Sequence, residues 1–293
     1  MQNQIIGWIG TGVMGRSMCS HIMDAGYPVR VYTRSKDKAA GLLDKGAIWC
    51  GSPGEAAQGC GVVFTMVGYP EDVEEVYFSG SAIIPHAKAG TVLVDMTTSR
   101  PSLARMIHEA ARERGCHALD APVSGGDVGA REASLAIMVG GEKEIFEKIR
   151  PLFGVLGRNI ALMGRPGAGQ HTKMSNQILI ASTMVGVVES LLYARKAGLD
   201  QDALIDLIST GAAGSWSLSN LGRRIVKGDF NPGFFIKHFI KDMGIALDEA
   251  RRMRLSLPGL ALASQFYVAA SAMGFEDLGT QGLYRVLETM NAL

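Results

Sequence analysis

The sequence predicts an α/β protein: an N-terminal doubly wound parallel sheet followed by a second, all-helical C-terminal domain, the two joined by a long helix. Three observations carry this. Short β-rich runs alternate with helical stretches over the first half of the chain, the pattern of a parallel sheet with helices on both faces. Strand-like runs stop after "GRPGAGQ" (164–170). The segment 172–197 then runs as one apolar-striped stretch without proline and with only Gly186 inside. The expected domains are 1–165 and 166–293, with the linking helix at about 172–197.

The strand-like runs are IIGWIG (5–10), VRVYTR (29–34), VVFTMV (62–67), TVLVDM (91–96) and LAIMVGG (135–141). Helical candidates between them are 16–25, 36–45, 53–57, 71–76 and 101–114. Helices at 201–209, 217–227, 235–253 and 258–273 follow the long segment.

The 293 residues carry 29 basic and 28 acidic side chains, a net charge of +1. That balance leaves no electrostatic case for nucleic acid or an anionic membrane. The longest apolar stretch, 178–193, is interrupted by Ser182, Thr183 and Glu189, so it reads as a buried helix rather than a bilayer span. The first residues do not read as a leader. Cys19, Cys50, Cys60 and Cys116 form no Cys-x-x-Cys pair, which fits a reduced, cytoplasmic protein. The six histidines show no paired spacing, so no metal is expected.

The first strand meets Gly10, Gly12 and Gly15. In a strand, Gly-x-Gly-x-x-Gly, helix arrangement, the first glycine makes the tight turn and the second lets a pyrophosphate approach the backbone. The third lets the helix pack close to the strand. The helix N-terminus then offers free N–H groups to the phosphates. A Rossmann-type dinucleotide domain follows from this context; a ligand-free glycine turn is the plainer alternative. At the end of the second strand, where a carboxylate would bind the ribose hydroxyls of NAD, the chain has Thr33, Arg34 and Ser35. Arg34 with two hydroxyls suits a 2′-phosphate, so NADP is favoured and NAD remains possible.

Two later motifs carry chemistry. "DAPVSGG" (120–126) ends in Ser124, Gly125 and Gly126, a hydroxyl and unobstructed N–H groups that suit a carboxylate. In "GQHTKMSNQ" (169–177), Lys173 and Asn176 are three residues apart and share a helix face with Ile180 and Met184. A lysine on an inward face ionises closer to neutrality and can trade a proton there; a snorkelling surface lysine is the alternative. In "FFIKHFIKDMG" (234–244), Lys237, His238 and Lys241 make one short positive stretch, whose plainer reading is a solvated helix face. His238, with Asp242 four residues on, is a second general-base candidate ranked below Lys173.

Taken together, Gly10-Thr11-Gly12-Val13-Met14-Gly15, "DMTT" (95–98), "DAPVSGG", "GQHTKMSNQ" and Lys241-Asp242 resemble the β-hydroxyacid dehydrogenase family, which includes 3-hydroxyisobutyrate dehydrogenases, tartronate semialdehyde reductases and succinic semialdehyde or glyoxylate reductases. The resemblance implies that Lys173 is the catalytic proton donor and that Asn176 orients it. It implies that Ser124, Gly125 and Gly126 bind the substrate carboxylate, and that Thr98 lies near the nicotinamide ribose and substrate. Gly10, Thr11, Gly12, Val13 and Met14, with Met66 and Val67, would line the cofactor. Lys241 would reach it, supported by Asp242. The expected activity is reduction of a small carboxylate-bearing aldehyde, or oxidation of the hydroxyacid, by a homodimer or homotetramer. An imine reductase of the same fold and a non-catalytic dinucleotide-binding module are the rivals. The presence of Lys173 speaks against both.

Overall fold

The structure is a computed structural model that describes residues 4–293. The chain packs as two compact units, divided between Lys173 and Met174.

The first unit is built on one sheet. Its strands are β1 (Ile6–Ile9), β2 (Val29–Tyr32), β3 (Ile48–Trp49), β4 (Val62–Thr65), β5 (Val92–Asp95), β6 (His117–Asp120), β7 (Val123–Ser124), β8 (Leu135–Gly140) and β9 (Gly157–Gly164). The order β3-β2-β1-β4-β5-β6 is parallel throughout, the doubly wound order that reverses direction at β1. Each central strand is buried on both faces, which explains its near-continuous apolar run. Ile6 and Trp8, Val62 and Phe64, and Val92 and Val94 point into one core. Ile9, Val63 and Leu93, one residue out of phase, point into the other.

The helices of this unit are α1 (Val13–Asp24), α2 (Ala40–Asp44), α3 (Pro53–Ala57), α4 (Pro70–Phe78), α5 (Ile83–His86), α6 (Pro101–Glu113), α7 (Gly126–Arg131) and α8 (Lys143–Leu156). Helices α1 and α8 supply Met18, Ile22, Phe146, Ile149 and Phe153 to the first core. Helices α3, α4 and α6 supply Ala56, Val73, Val76, Leu103 and Ile107 to the second.

Helix α9 (Ala168–Lys196) starts in the first unit and continues as the spine of the second. It is long and apolar enough, by length and composition alone, to cross a membrane. Its buried residues Ala181, Met184, Val188 and Leu191 belong to the core of the C-terminal unit. That core is closed by α10 (Gln201–Ile208), α11 (Arg223–Val226), α12 (Ile236–Arg252), α13 (Pro258–Ala272) and α14 (Leu283–Met290). Phe239 of α12 meets Tyr267 of α13 edge-to-face at 5.0 Å, and the Tyr267 hydroxyl donates to the Thr280 carbonyl.

The structure differs from the sequence expectation in several places: strands β3, β6, β7 and β9 and helices α5, α7 and α14 lie outside the expected set, and there are four further differences. The sheet is not wholly parallel: β6 and β7 run antiparallel to β8 as one ladder. Pro122 lies between them and cannot donate, but its carbonyl still accepts from Met138 N–H. Helix α9 begins at Ala168, four residues before the expected start, where Asp120, far away in sequence, accepts the N–H groups of Gly167 and Gln170. Helix α8 was absent from the expected set; it carries Pro151 in its interior, which reads as a stop signal in sequence. The expected helix 217–227 opens as a π-helical turn, Ser217–Gly222, before α11.

Candidate active site

The carboxyl ends of β4, β5 and β6 carry Thr65, Asp95 and Asp120 in register, all buried. Buried polar groups aligned at strand ends, beside the point where strand order reverses, mark the ligand edge of such a sheet.

The glycine loop between β1 and α1 shows three different requirements. Gly10 has φ +95°, and a Cβ there would fall 2.1 Å from the Met66 carbonyl oxygen. A Cβ on Gly15 would fall 2.2 Å from the Gly10 carbonyl oxygen, which already accepts from the Trp8 indole N–H at 2.9 Å. A Cβ on Gly12 would meet nothing within 4 Å. Protein packing therefore demands glycine at 10 and 15 but not at 12, where the open space suits an approaching ligand. Gly12 is the N-cap of α1 and has no side chain to cap the first-turn N–H groups. Thr11 is buried with its hydroxyl unpartnered. Exposed Val13 and half-buried Met14 complete the loop. These residues fit a dinucleotide pyrophosphate.

At the end of β2, Thr33 is half-buried and Ser35 is exposed. Arg34 is 74% exposed, and its Nη1 lies 3.0 Å from Asp72 Oδ1 of α4. Asp72 is a partner the sequence did not suggest. Its other oxygen accepts the Tyr69 N–H at 3.1 Å, which fixes the carboxylate. Met66 and Val67 follow β4, half-buried; Met66 N–H donates to Ile9 O at 2.8 Å and Val67 N–H to Thr97 Oγ1 at 3.0 Å. Thr98 is half-buried between buried Thr97 and Ser99.

Ser124, Gly125 and Gly126 turn the chain from β7 into α7 with φ +130° and +63° at the two glycines, left-handed values that exclude most side chains. Asp120, the first residue of that motif, faces elsewhere. Its Oδ1 accepts the Gly167 N–H and its Oδ2 the Gln170 N–H, each at 2.8 Å. Burial pushes its carboxyl pKa above the ordinary range, against the pull of these backbone donors. Lys173, three residues past Gln170, is 6% exposed, so the inward lysine of the sequence reading is buried.

The C-terminal unit holds a second polar chain. Asn176 Nδ2 donates to Gln177 Oε1 at 2.8 Å, and Gln177 Nε2 donates to Asp242 Oδ2 at 2.6 Å. Lys241 Nζ lies 2.9 Å from Asp242 Oδ1. Asp242 and Gln177 are fully buried, and Lys241 is 13% exposed. The plainer reading of 237–241 as a solvated face therefore fits Lys237 but not Lys241. Lys237 pairs with Asp277 near solvent, but Lys241 turns inward because its charge is met by a buried acid. His238 is half-buried between the rings of Phe234 and Phe235.

All four cysteines are free and buried, and burial pushes the Cys60 thiol up to about 11, so these groups are poor nucleophiles. Sequence reasoning missed Gln170, Asp120 as an anchor, Gln177 and Asp72. Only Gln170 carried a signal, its position one turn before Lys173.

Residues 5–164 match the family model of the NAD binding domain of 6-phosphogluconate dehydrogenase. Residues 167–287 match the one described as NAD-binding of NADP-dependent 3-hydroxyisobutyrate dehydrogenase. The chain is 57% identical to the oxidoreductase YkwC of Bacillus subtilis, over 96% of this chain and 98% of that one. It is 37% identical to the 2-hydroxy-3-oxopropionate reductase of Escherichia coli K12, over 97% of each. Among solved structures, the 3-hydroxyisobutyrate dehydrogenase of Mycobacterium tuberculosis with L-serine aligns with a TM-score of 0.89 at 30% identity, covering 97% of this chain and 99% of that one. With a dinucleotide loop at one end of the sheet, a buried lysine on the following helix and these matches along nearly its whole length, the chain belongs to the β-hydroxyacid dehydrogenase family, NAD(P)-dependent oxidoreductases that act on CH–OH groups.

Proposed function

We propose that the chain is an NADP-preferring 3-hydroxyacid dehydrogenase working as a reductase of small carboxylate-bearing aldehydes. The class comprises succinic semialdehyde, glyoxylate, methylmalonate semialdehyde and tartronate semialdehyde, with Lys173 as proton donor. The observation that carries it is a buried lysine one turn beyond a helix start that is tied to the strand ends.

The nicotinamide, when bound, supplies or takes up the hydride. Lys173 hydrogen-bonds the carbonyl oxygen and gives it a proton as negative charge develops there; in oxidation it takes the proton back. Asn176 helps orient the lysine and the substrate oxygen. Ser124 and the N–H groups of Gly125 and Gly126 receive the carboxylate, and Thr98 lies beside the reacting carbon. Met66 and Val67 line the cofactor together with the 10–14 loop, and Lys241 serves it as a further cation. Arg34, flanked by Thr33 and Ser35, takes the 2′-phosphate, which replaces Asp72 as its partner. Residues 1–165 form the cofactor domain and 166–293 the substrate and oligomerisation domain of a cytoplasmic homodimer or homotetramer.

The test is oxidation of NADPH and of NADH against these four aldehydes and a cyclic imine. Saturable turnover of an acid aldehyde, faster with NADPH, is expected. Lys173→Ala should lower kcat by about 1,000-fold and leave the NADPH Kd within about three-fold. Silence on every aldehyde sinks the substrate class, and loss of NADPH binding in Lys173→Ala removes the lysine from the catalytic role.

A further inference from the structure

We propose that Gln170 is the positioning residue that sets Lys173 against the Thr98 loop, through both ends of its side-chain amide. The inference rests on the roles proposed for Lys173 and Thr98. Gln170 is 0% exposed. Its Nε2 donates to the Thr97 carbonyl at 2.7 Å, and its Oε1 accepts the Ser99 N–H at 2.9 Å. Those two backbone groups flank Thr98, so one amide fixes the peptide on each side of it.

The same residue is held from two other strand ends. Its backbone N–H donates to Asp120 at the end of β6. Thr97, its partner, donates its N–H to Asp95 Oδ1 at the end of β5, and its hydroxyl accepts the Val67 N–H just beyond β4. Gln170 thus stands where three strand ends meet the first turn of α9. Lys173 follows three residues later, on the same face of the helix. A shift at 170 moves the proton donor and the Thr98 loop relative to each other, which a residue packed against only one of them would not do.

The site demands a donor and an acceptor side by side. Leucine supplies neither, and a carboxylate supplies two acceptors, one of which would face the Thr97 carbonyl. A protonated carboxyl matches the amide, with its O–H toward Thr97 and its carbonyl toward Ser99. Asp95 and Asp120 belong to the same network, and Lys173 is the cation one turn away. Burial and the two acids favour the neutral form of a carboxyl placed there.

The experiment compares the full-length enzyme with Gln170→Glu and Gln170→Leu, using tartronate semialdehyde and NADPH across pH. Gln170→Leu should lose about 100-fold in kcat at every pH, with KM within about three-fold. Gln170→Glu should lose as much at about pH 8 and regain most of it towards about pH 6, a limb absent from the wild type. A Gln170→Glu profile parallel to that of the wild type overturns the proposal, and so does a loss confined to KM. Amide hydrogen exchange supplies a readout that needs no turnover. The Ser99 N–H should exchange at least about 10-fold faster in Gln170→Leu, and the 97–99 segment of Gln170→Glu should loosen relative to the wild type as pH rises. Unchanged exchange in both variants overturns the proposal even if the wild type reduces no acid aldehyde, an outcome that by itself would sink only the preceding reading of the substrate.

Discussion

Two buried aspartates, Asp120 in the first unit and Asp242 in the second, are satisfied in opposite ways. Asp120 accepts backbone N–H groups of Gly167 and Gln170, at the start of α9. Asp242 is met by side chains, the Gln177 amide and the Lys241 ammonium. Backbone donors are the same whatever residues carry them, so Asp120 constrains where a helix begins and how it leaves the sheet. Side-chain donors belong to particular residues, so Asp242 constrains the placement of one amide and one cation. The first acid is a device for architecture, and the second for charge.

The largest effect expected from this contrast is in Asp120→Ala. It strands two buried N–H groups and should cost about 3–4 kcal/mol, read as a lowered midpoint in chemical denaturation. A loss below about 1 kcal/mol would mean that the start of α9 is held by something else. The raised pKa of Asp120 also fixes a pH slope. Its neutral form is favoured in the folded state, so the stabilisation is complete below the unfolded carboxyl pKa and is lost as pH climbs through the raised folded value. Asp120→Asn should flatten that part of the stability curve.

Next in size is Asp242→Asn. It keeps an acceptor for Gln177 but removes the charge facing Lys241, and should cost about 2 kcal/mol. The double change Asp242→Asn with Lys241→Met should recover at least half of that loss, since neither charge then lacks its partner. Simple additivity in the cycle would show that the pair carries no coupling.

The smallest structural effect is expected at Gly12, where the contrast moves from acids to glycines. Gly12→Ala meets open space and should change stability by less than about 0.5 kcal/mol, while NADPH affinity falls by at least about 10-fold. Gly15→Ala, which drives a methyl against the Gly10 carbonyl, should instead lower the melting temperature outright. Equal effects on stability would remove the case that Gly12 is kept open for a ligand.

The parts legible in the sequence are those whose causes are local. The runs around 5–10, 62–67 and 91–96 announce strands because both of their faces are buried, and the spacing of Gly10, Gly12 and Gly15 describes one turn. The buried lysine showed through its place on an apolar stripe with Ile180 and Met184. Arg34 was visible as a phosphate partner, but its pairing with Asp72, 38 positions away by the numbering, was not. The antiparallel ladder of β7 and β8 was hidden because two residues of strand, broken by Pro122, leave no periodicity to read.

The sequence by itself determined the α/β unit followed by helices, the dinucleotide loop, the glycine turn at Ser124–Gly126 and a buried lysine, because each depends on residues within one or two turns of chain. Only the tertiary structure decided what ties the first turn of α9 to the strand ends. Asp120 is 47 and 50 residues from the N–H groups it accepts, and Gln170 is 73 and 71 residues from the carbonyl and N–H it clamps. No local pattern encodes such a pairing. A buried donor or acceptor must find a partner wherever folding brings one near, and the partners here come from strand ends that become neighbours only when the sheet forms.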